Sequence, residues 1–100
     1  MIILIVDDQT NVVSGLVSGI NWERLQAEKI LKAYNAFEAK ALLQSQAVDV
    51  MLCDIEMPEE DGISLLRWLR KMNINTECIF LTSHADFIYA RGLLAKKDIH

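Results

Sequence analysis

The apolar run Ile2-Ile3-Leu4-Ile5-Val6 is continuous rather than alternating, and it stops on two acids, Asp7 and Asp8. A run rich in β-branched residues with no polar positions predicts a strand covered on both faces, the condition of a parallel sheet between helices. The pattern recurs at residues 48–53, Val-Asp-Val-Met-Leu-Cys, which stop on Asp54. If the two runs are neighbouring parallel strands, all three carboxylates meet at the carboxyl edge of the sheet, where open α/β folds place their sites. Carboxylates about 4 Å apart repel by roughly 1 kcal/mol per pair in water and roughly 4 at an effective dielectric of 20. Such a cluster calls for a hard cation.

Between and after these runs the period changes to that of helices. Thr10 or Asn11 can cap a first helix whose apolar positions are Val12, Val13, Leu16, Val17 and Ile20, with Gly19 near its end and Asn21-Trp22 breaking the pattern. Residues 28–33 form a second strand whose lysines suit a sheet edge. Asn35 with Glu38 reads as a capping box, and Phe37, Ala41 and Leu42 carry a second helix to about Gln46. After the third strand, a loop runs from Asp54 to Gly62, stiffened by Pro58 and turned by Asp61-Gly62. Ile63, Leu65, Leu66, Leu69 and Met72 mark a third helix, with Arg67, Arg70 and Lys71 on its wet side. Residues 77–81 are the fourth strand, Thr82-Ser83-His84 the next loop, and residues 85–94 a short fourth helix. Four alternations of strand and helix predict a doubly wound α/β fold, a parallel sheet with helices on both faces and right-handed crossovers.

A chain of 100 residues that is 52% hydrophobic is one domain with a small core. It has no run of 18 apolar residues, and its opening stretch meets acid too soon to be a secretory signal, so a cytoplasmic protein without a membrane span is expected. A net charge of −4 with no basic block argues against direct contact with nucleic acid, which needs clustered Lys and Arg. Cys53 and Cys78 sit in apolar runs without CxxC spacing or histidine partners, and read as buried small hydrophobes rather than a zinc site or disulfide. Trp22 and Trp68 read as packing residues, and His84 as a loop residue.

Three separated motifs in order, Ile5-Val6-Asp7-Asp8, Asp54-Ile55-Glu56-Met57-Pro58 with Asp61-Gly62, and Leu81-Thr82-Ser83, resemble the receiver domains of two-component response regulators. The resemblance covers residues 1–94, a receiver domain, and leaves 95–100 as an undetermined tail. Gly19-Ile20-Asn21-Trp22-Glu23 and His84-Ala85-Asp86-Phe87 resemble more narrowly the regulators that carry an AraC-type helix-turn-helix output domain. The resemblance implies a flavodoxin-like strand order of 2-1-3-4. It implies Asp54 as the phosphoacceptor, taking a phosphoryl group from a histidine of a sensor kinase. It implies Mg²⁺ held by Asp7, Asp8, Asp54 and the backbone carbonyl of Glu56, and Thr82 as the switch hydroxyl that follows the phosphoryl group. Specificity for the kinase is placed on the first helix. The implied activity is signalling to an output domain that controls transcription, not turnover of a substrate.

The family's pattern continues into a fifth strand ending in Lys-Pro and a fifth helix, which these 100 residues do not contain. Lys96 and Lys97 lie at neither the motif nor the distance of that lysine and are not given its role. An uncovered fourth strand predicts association through its edge, or exchange of an element with a second copy. Two other classes compete. Asp54-Ile55-Glu56 after a strand imitates the nucleophile pair of haloacid dehalogenase phosphatases, although the downstream lysine and acidic metal motif are absent. A receiver-like module that cannot be phosphorylated would work by protein contacts alone.

Overall fold

The computed structural model describes residues 1–81. Its elements follow the order β1 (Ile2–Val6), α1 (Thr10–Gly19), β2 (Lys29–Ala33), α2 (Ala36–Ser45), β3 (Val50–Asp54), α3 (Gly62–Lys71) and β4 (Glu77–Leu81). The four strands form one parallel sheet in the order β2-β1-β3-β4, as expected. Thr82, Ser83, His84 and the expected fourth helix lie outside the described residues, and so does whatever flanks the far side of β4.

Continuous burial explains why β1 is central. Ile3, Leu4, Ile5 and Val6 are all at most 3% exposed, and the strand splits its side chains between two cores. Leu4 and Val6 join Met51, Cys53, Cys78 and Phe80 of the neighbouring strands beneath Leu65 and Leu69 of α3 and Ala36, Ala39 and Leu43 of α2. Ile3 and Ile5 face the other way, with Val13 buried among them and Leu16, Val17 and Trp22 packed alongside. The lysines of β2, on the outside of the sheet, are exposed.

Three local readings need correction. The capping residue of α1 is Gln9, not Thr10 or Asn11, and its side chain makes no capping bond; the Asp7 carboxylate instead accepts the Gln9 N–H at 2.9 Å. The helix entrance is therefore tied to an acid of the sheet edge. The buried face of α2 is Ala36, Ala39 and Leu43, whereas Phe37 is 83% exposed. The helix thus turns two small residues and one leucine to the core and leaves the aromatic in solvent. The capping box itself is present, with Asn35 accepting from the Glu38 N–H at 2.8 Å and the Glu38 carboxylate accepting from the Tyr34 N–H at 2.8 Å.

The third correction concerns Asp61-Gly62. Asp61 caps α3, accepting the Ser64 N–H at 2.8 Å, and Gly62 is the first helical residue. No glycine among the described residues has a positive φ, so Gly62 is not there for a turn. A Cβ at Gly62 would collide with the Asp54 carbonyl oxygen and stand 3.1 Å from both the Asp54 carbonyl carbon and the Ile55 Cα. Glycine here permits α3 to begin directly against the end of β3.

Candidate metal centre

Strand register brings the acids together. Val6 is level with Cys53 in the β1–β3 pair, so Asp7 follows Val6 as Asp54 follows Cys53. The Asp7 N–H continues the ladder to the Ala33 carbonyl at 3.1 Å, which holds this residue as an extension of β1. Oxygen atoms of Asp7, Asp8 and Asp54 all lie within 4.8 Å of one another. The three carboxylates that the two apolar runs predicted at one edge are at one edge.

Their environments differ. Asp7 is only 4% exposed, Asp8 is open to solvent and Asp54 is half-buried. Burial pushes the Asp7 carboxyl above the usual range, the Gln9 N–H pulls it part of the way back, and the Asp8 charge pushes it up further. Asp54 is pushed up to about 6, first by burial and then by the charge of Asp7, with the Glu56 backbone N–H lowering it and the Asp8 charge raising it again. Among the described residues the ion pairs are Met1 with Glu28 and Lys40 with Glu60, so no lysine or arginine neutralises the cluster.

The cluster is suited to a divalent cation. A donor set made of carboxylate oxygens, converging and without a countercharge, suits a hard ion such as Mg²⁺ and does not suit a soft one. Such an ion would offset both the burial and the neighbouring charges that raise the Asp54 carboxyl. The thiol of Cys53 is no competing ligand. It is buried, burial and neighbouring charges push its ionisation strongly upward, and it points its proton at the Asp54 carbonyl at 3.2 Å.

The main chain behind Asp54 is fixed from several sides. Its carbonyl sits between the Cys53 thiol and the Cα of Gly62. The Gly62 N–H donates to the Ile55 carbonyl at 2.8 Å, closing the loop at its base. Met57 is buried in the core beneath α3, so this residue anchors the loop rather than only shaping it. Glu56, whose carbonyl the sequence suggested as a ligand, is exposed on the same loop. Thr82, the expected switch hydroxyl, is beyond the described residues.

Two features of the site escaped the sequence. One is the contact of Gly62 with Asp54, and the other is the Lys40–Glu60 pair at 2.7 Å, with the Lys40 ammonium 5.4 Å from the centre of the Trp68 ring. The glycine was visible but carried a turn reading. The ion pair joins residues 20 apart and leaves no local signal.

A family model described as the response regulator receiver domain matches residues 3–97. The Bacillus subtilis (strain 168) protein called uncharacterized transcriptional regulatory protein YesN is 30% identical over 89 residues, which are 89% of this chain and 24% of that protein. The chain thus spans about a quarter of the length of that curated relative. Among solved structures, a two component transcriptional regulator AraC from Clostridium phytofermentans ISDg superposes with a TM-score of 0.81 at 32% identity, over 92% of this chain and 71% of that one. The response regulator TrrA from Thermotoga maritima, solved with Mg²⁺ and BeF, superposes with a TM-score of 0.72 at 29% identity, over 86% and 72% of the two chains.

Proposed function

Because this chain belongs to the response regulator receiver-domain family, we propose that it is the phosphoacceptor domain, residues 1–94, of a two-component transcriptional regulator and that Asp54 is the residue phosphorylated. The observation that carries this reading is the convergence of Asp7, Asp8 and Asp54 oxygens within 4.8 Å, with no lysine or arginine among the described residues paired to them.

Asp7, Asp8 and Asp54 would hold Mg²⁺ together with the Glu56 carbonyl, and a similar response regulator solved with Mg²⁺ and BeF supports the choice of ion. When bound, the ion supplies positive charge to the phosphoryl oxygens and to the acid cluster. The chain's own residues do the rest. With its carboxyl near 6 even without a countercharge, Asp54 is mostly ionised at neutral pH and available as a nucleophile. A carboxylate oxygen of Asp54 attacks the phosphorus of a phosphohistidine on a sensor kinase. The new O–P bond is an acyl phosphate, the N–P bond breaks, and the imidazole nitrogen keeps the electron pair and is protonated. The Asp54 main chain is held by the Gly62 contact and the Cys53 thiol, which limits how far the nucleophile can wander.

The chain is therefore not an enzyme that turns over a substrate. It takes and loses one phosphoryl group, and Thr82 is the hydroxyl assigned to reading it. The intact regulator signals to an output domain of the AraC type from the cytoplasm. No helix among the described residues is long and apolar enough to cross a membrane. Incubation of the full chain with Mg²⁺ and acetyl phosphate should add the mass of one phosphoryl group, and Asp54→Asn should abolish the gain. An unmodified wild-type chain under conditions that phosphorylate a relative would instead favour a module that works by contacts alone.

A further inference from the structure

The loop between β3 and α3 contains a backbone conformation that its sequence does not favour. Glu59 has φ of 70°, left-handed for a residue with a side chain, a state that persists only where the surroundings impose it. Some of the constraint is internal, since the Glu60 N–H donates to the Pro58 carbonyl at 2.8 Å and Gly62 closes the base on Ile55 at 2.8 Å. The rest comes from outside the loop. The next residue, Glu60, is gripped at 2.7 Å by Lys40 of α2.

Both side chains of this pair are partly shielded, 28% and 31% exposed, and the ammonium also lies over Trp68 of α3. One lysine therefore spans α2, the loop and α3. From Glu60 the chain runs through Asp61, the cap of α3, to Gly62, which lies so close to the end of β3 that a Cβ there would collide with the Asp54 carbonyl oxygen. Movement of Glu60 away from α2 pulls on Asp61 and Gly62, and the close approach of Gly62 passes it to Asp54. From the clamp to the residue that closes the acid cluster the path is two residues of backbone, Glu60 to Gly62, and then the close approach of Gly62 to the Asp54 carbonyl.

We propose that Lys40 and Glu60 are positioning residues that clamp the loop behind Asp54, so that their ion pair sets how tightly the acid cluster holds its cation. The proposal rests on the receiver reading for the identity of that cation, Mg²⁺. The clamp does not touch the ion, and its effect passes through the loop backbone.

Charge reversal separates this from simple electrostatics. Lys40→Glu adds negative charge near a cation site, which on charge alone tightens Mg²⁺ binding, whereas Glu60→Lys on charge alone weakens it. A clamp predicts that both single changes weaken binding, by about threefold each for a partly exposed pair, and that the double exchange Lys40→Glu/Glu60→Lys recovers most of the loss. The experiment uses the full chain well below its melting temperature. Mg²⁺ affinity is followed by tryptophan fluorescence, and amide hydrogen exchange at residues 59–62 is followed without Mg²⁺. Faster exchange in both single variants, reversed in the double, with the matching pattern in affinity, is the expected result. Opposite signs in the two singles, no change in exchange, or no recovery in the double overturns the clamp. A wild-type chain that binds no Mg²⁺ overturns the receiver reading, and its exchange data still show separately whether the pair holds the loop.

Discussion

The two ends of the same sheet are built on opposite terms. At the amino edge every conspicuous polar group has a complementary partner: the Met1 ammonium meets Glu28 at 2.6 Å, Asp49 accepts the Ile2 N–H at 2.7 Å, and the buried Thr76 hydroxyl donates to the Val48 carbonyl at 2.8 Å. Arg70 completes the set by donating to the Thr76 carbonyl at 2.8 Å. At the carboxyl edge three acids converge, and no lysine or arginine among the described residues pairs with them. One edge is arranged for stability, and the other carries repulsion that a ligand can relieve. The difference sets the acid cluster apart within a fold whose two ends are otherwise made by the same strands, and it is why the proposed site is placed there.

The contrast can be tested by breaking each edge in turn. The largest effect on stability is expected from Gly62→Ala. Its new methyl has to displace the Asp54 carbonyl, a backbone atom at the end of a buried strand, at a cost of about 2 kcal/mol. Because the displaced atom belongs to the site, Mg²⁺ affinity should fall as well, and denaturant melts with and without Mg²⁺ read both. Thr76→Val at the other edge should cost about 1–2 kcal/mol by orphaning the Val48 carbonyl. Mg²⁺ affinity should not change in that variant, and a change would mean that the two edges are coupled.

The smallest effect has the opposite sign. Asp54 titrates near 3.8 unfolded and about 6 folded, so the folded state prefers the protonated form. Its ionisation therefore destabilises the metal-free protein fully above pH 6, and the cost fades as pH falls toward 3.8. The full linkage would be about 3 kcal/mol, and solvent reaching the half-buried carboxylate reduces it to about 1. Asp54→Asn should thus stabilise the metal-free chain by about 1 kcal/mol at pH 7. That advantage should shrink steadily below pH 6, as chemical melts across the range would show.

Much of this was legible in the residues. The runs at 2–6 and 48–53 specified two central strands because buried parallel strands need unbroken apolar sequence, and the acids that end them specified the site. Local chemistry also found the Asn35 cap, since a cap bonds within three residues. What failed depended on neighbours distant in sequence. Phe37 counted toward the apolar pattern of α2, but it is the exposed residue, and Ala36, Ala39 and Leu43 are the buried ones. Gly62 looked like a turn residue until the end of β3 was seen against it. The Lys40–Glu60 pair exists only once α2 and the loop are placed side by side.

The central claim is that the carboxyl edge stores repulsion which a bound cation removes. Its most direct test is the melting temperature of the full chain at pH 7 with and without saturating Mg²⁺, in the wild type and in Asp54→Asn. The account predicts that Mg²⁺ raises the wild-type value, because binding to the folded state alone stabilises it, and that the variant starts higher and gains less. A wild-type melting temperature indifferent to Mg²⁺, or an equal gain in the variant, would contradict it.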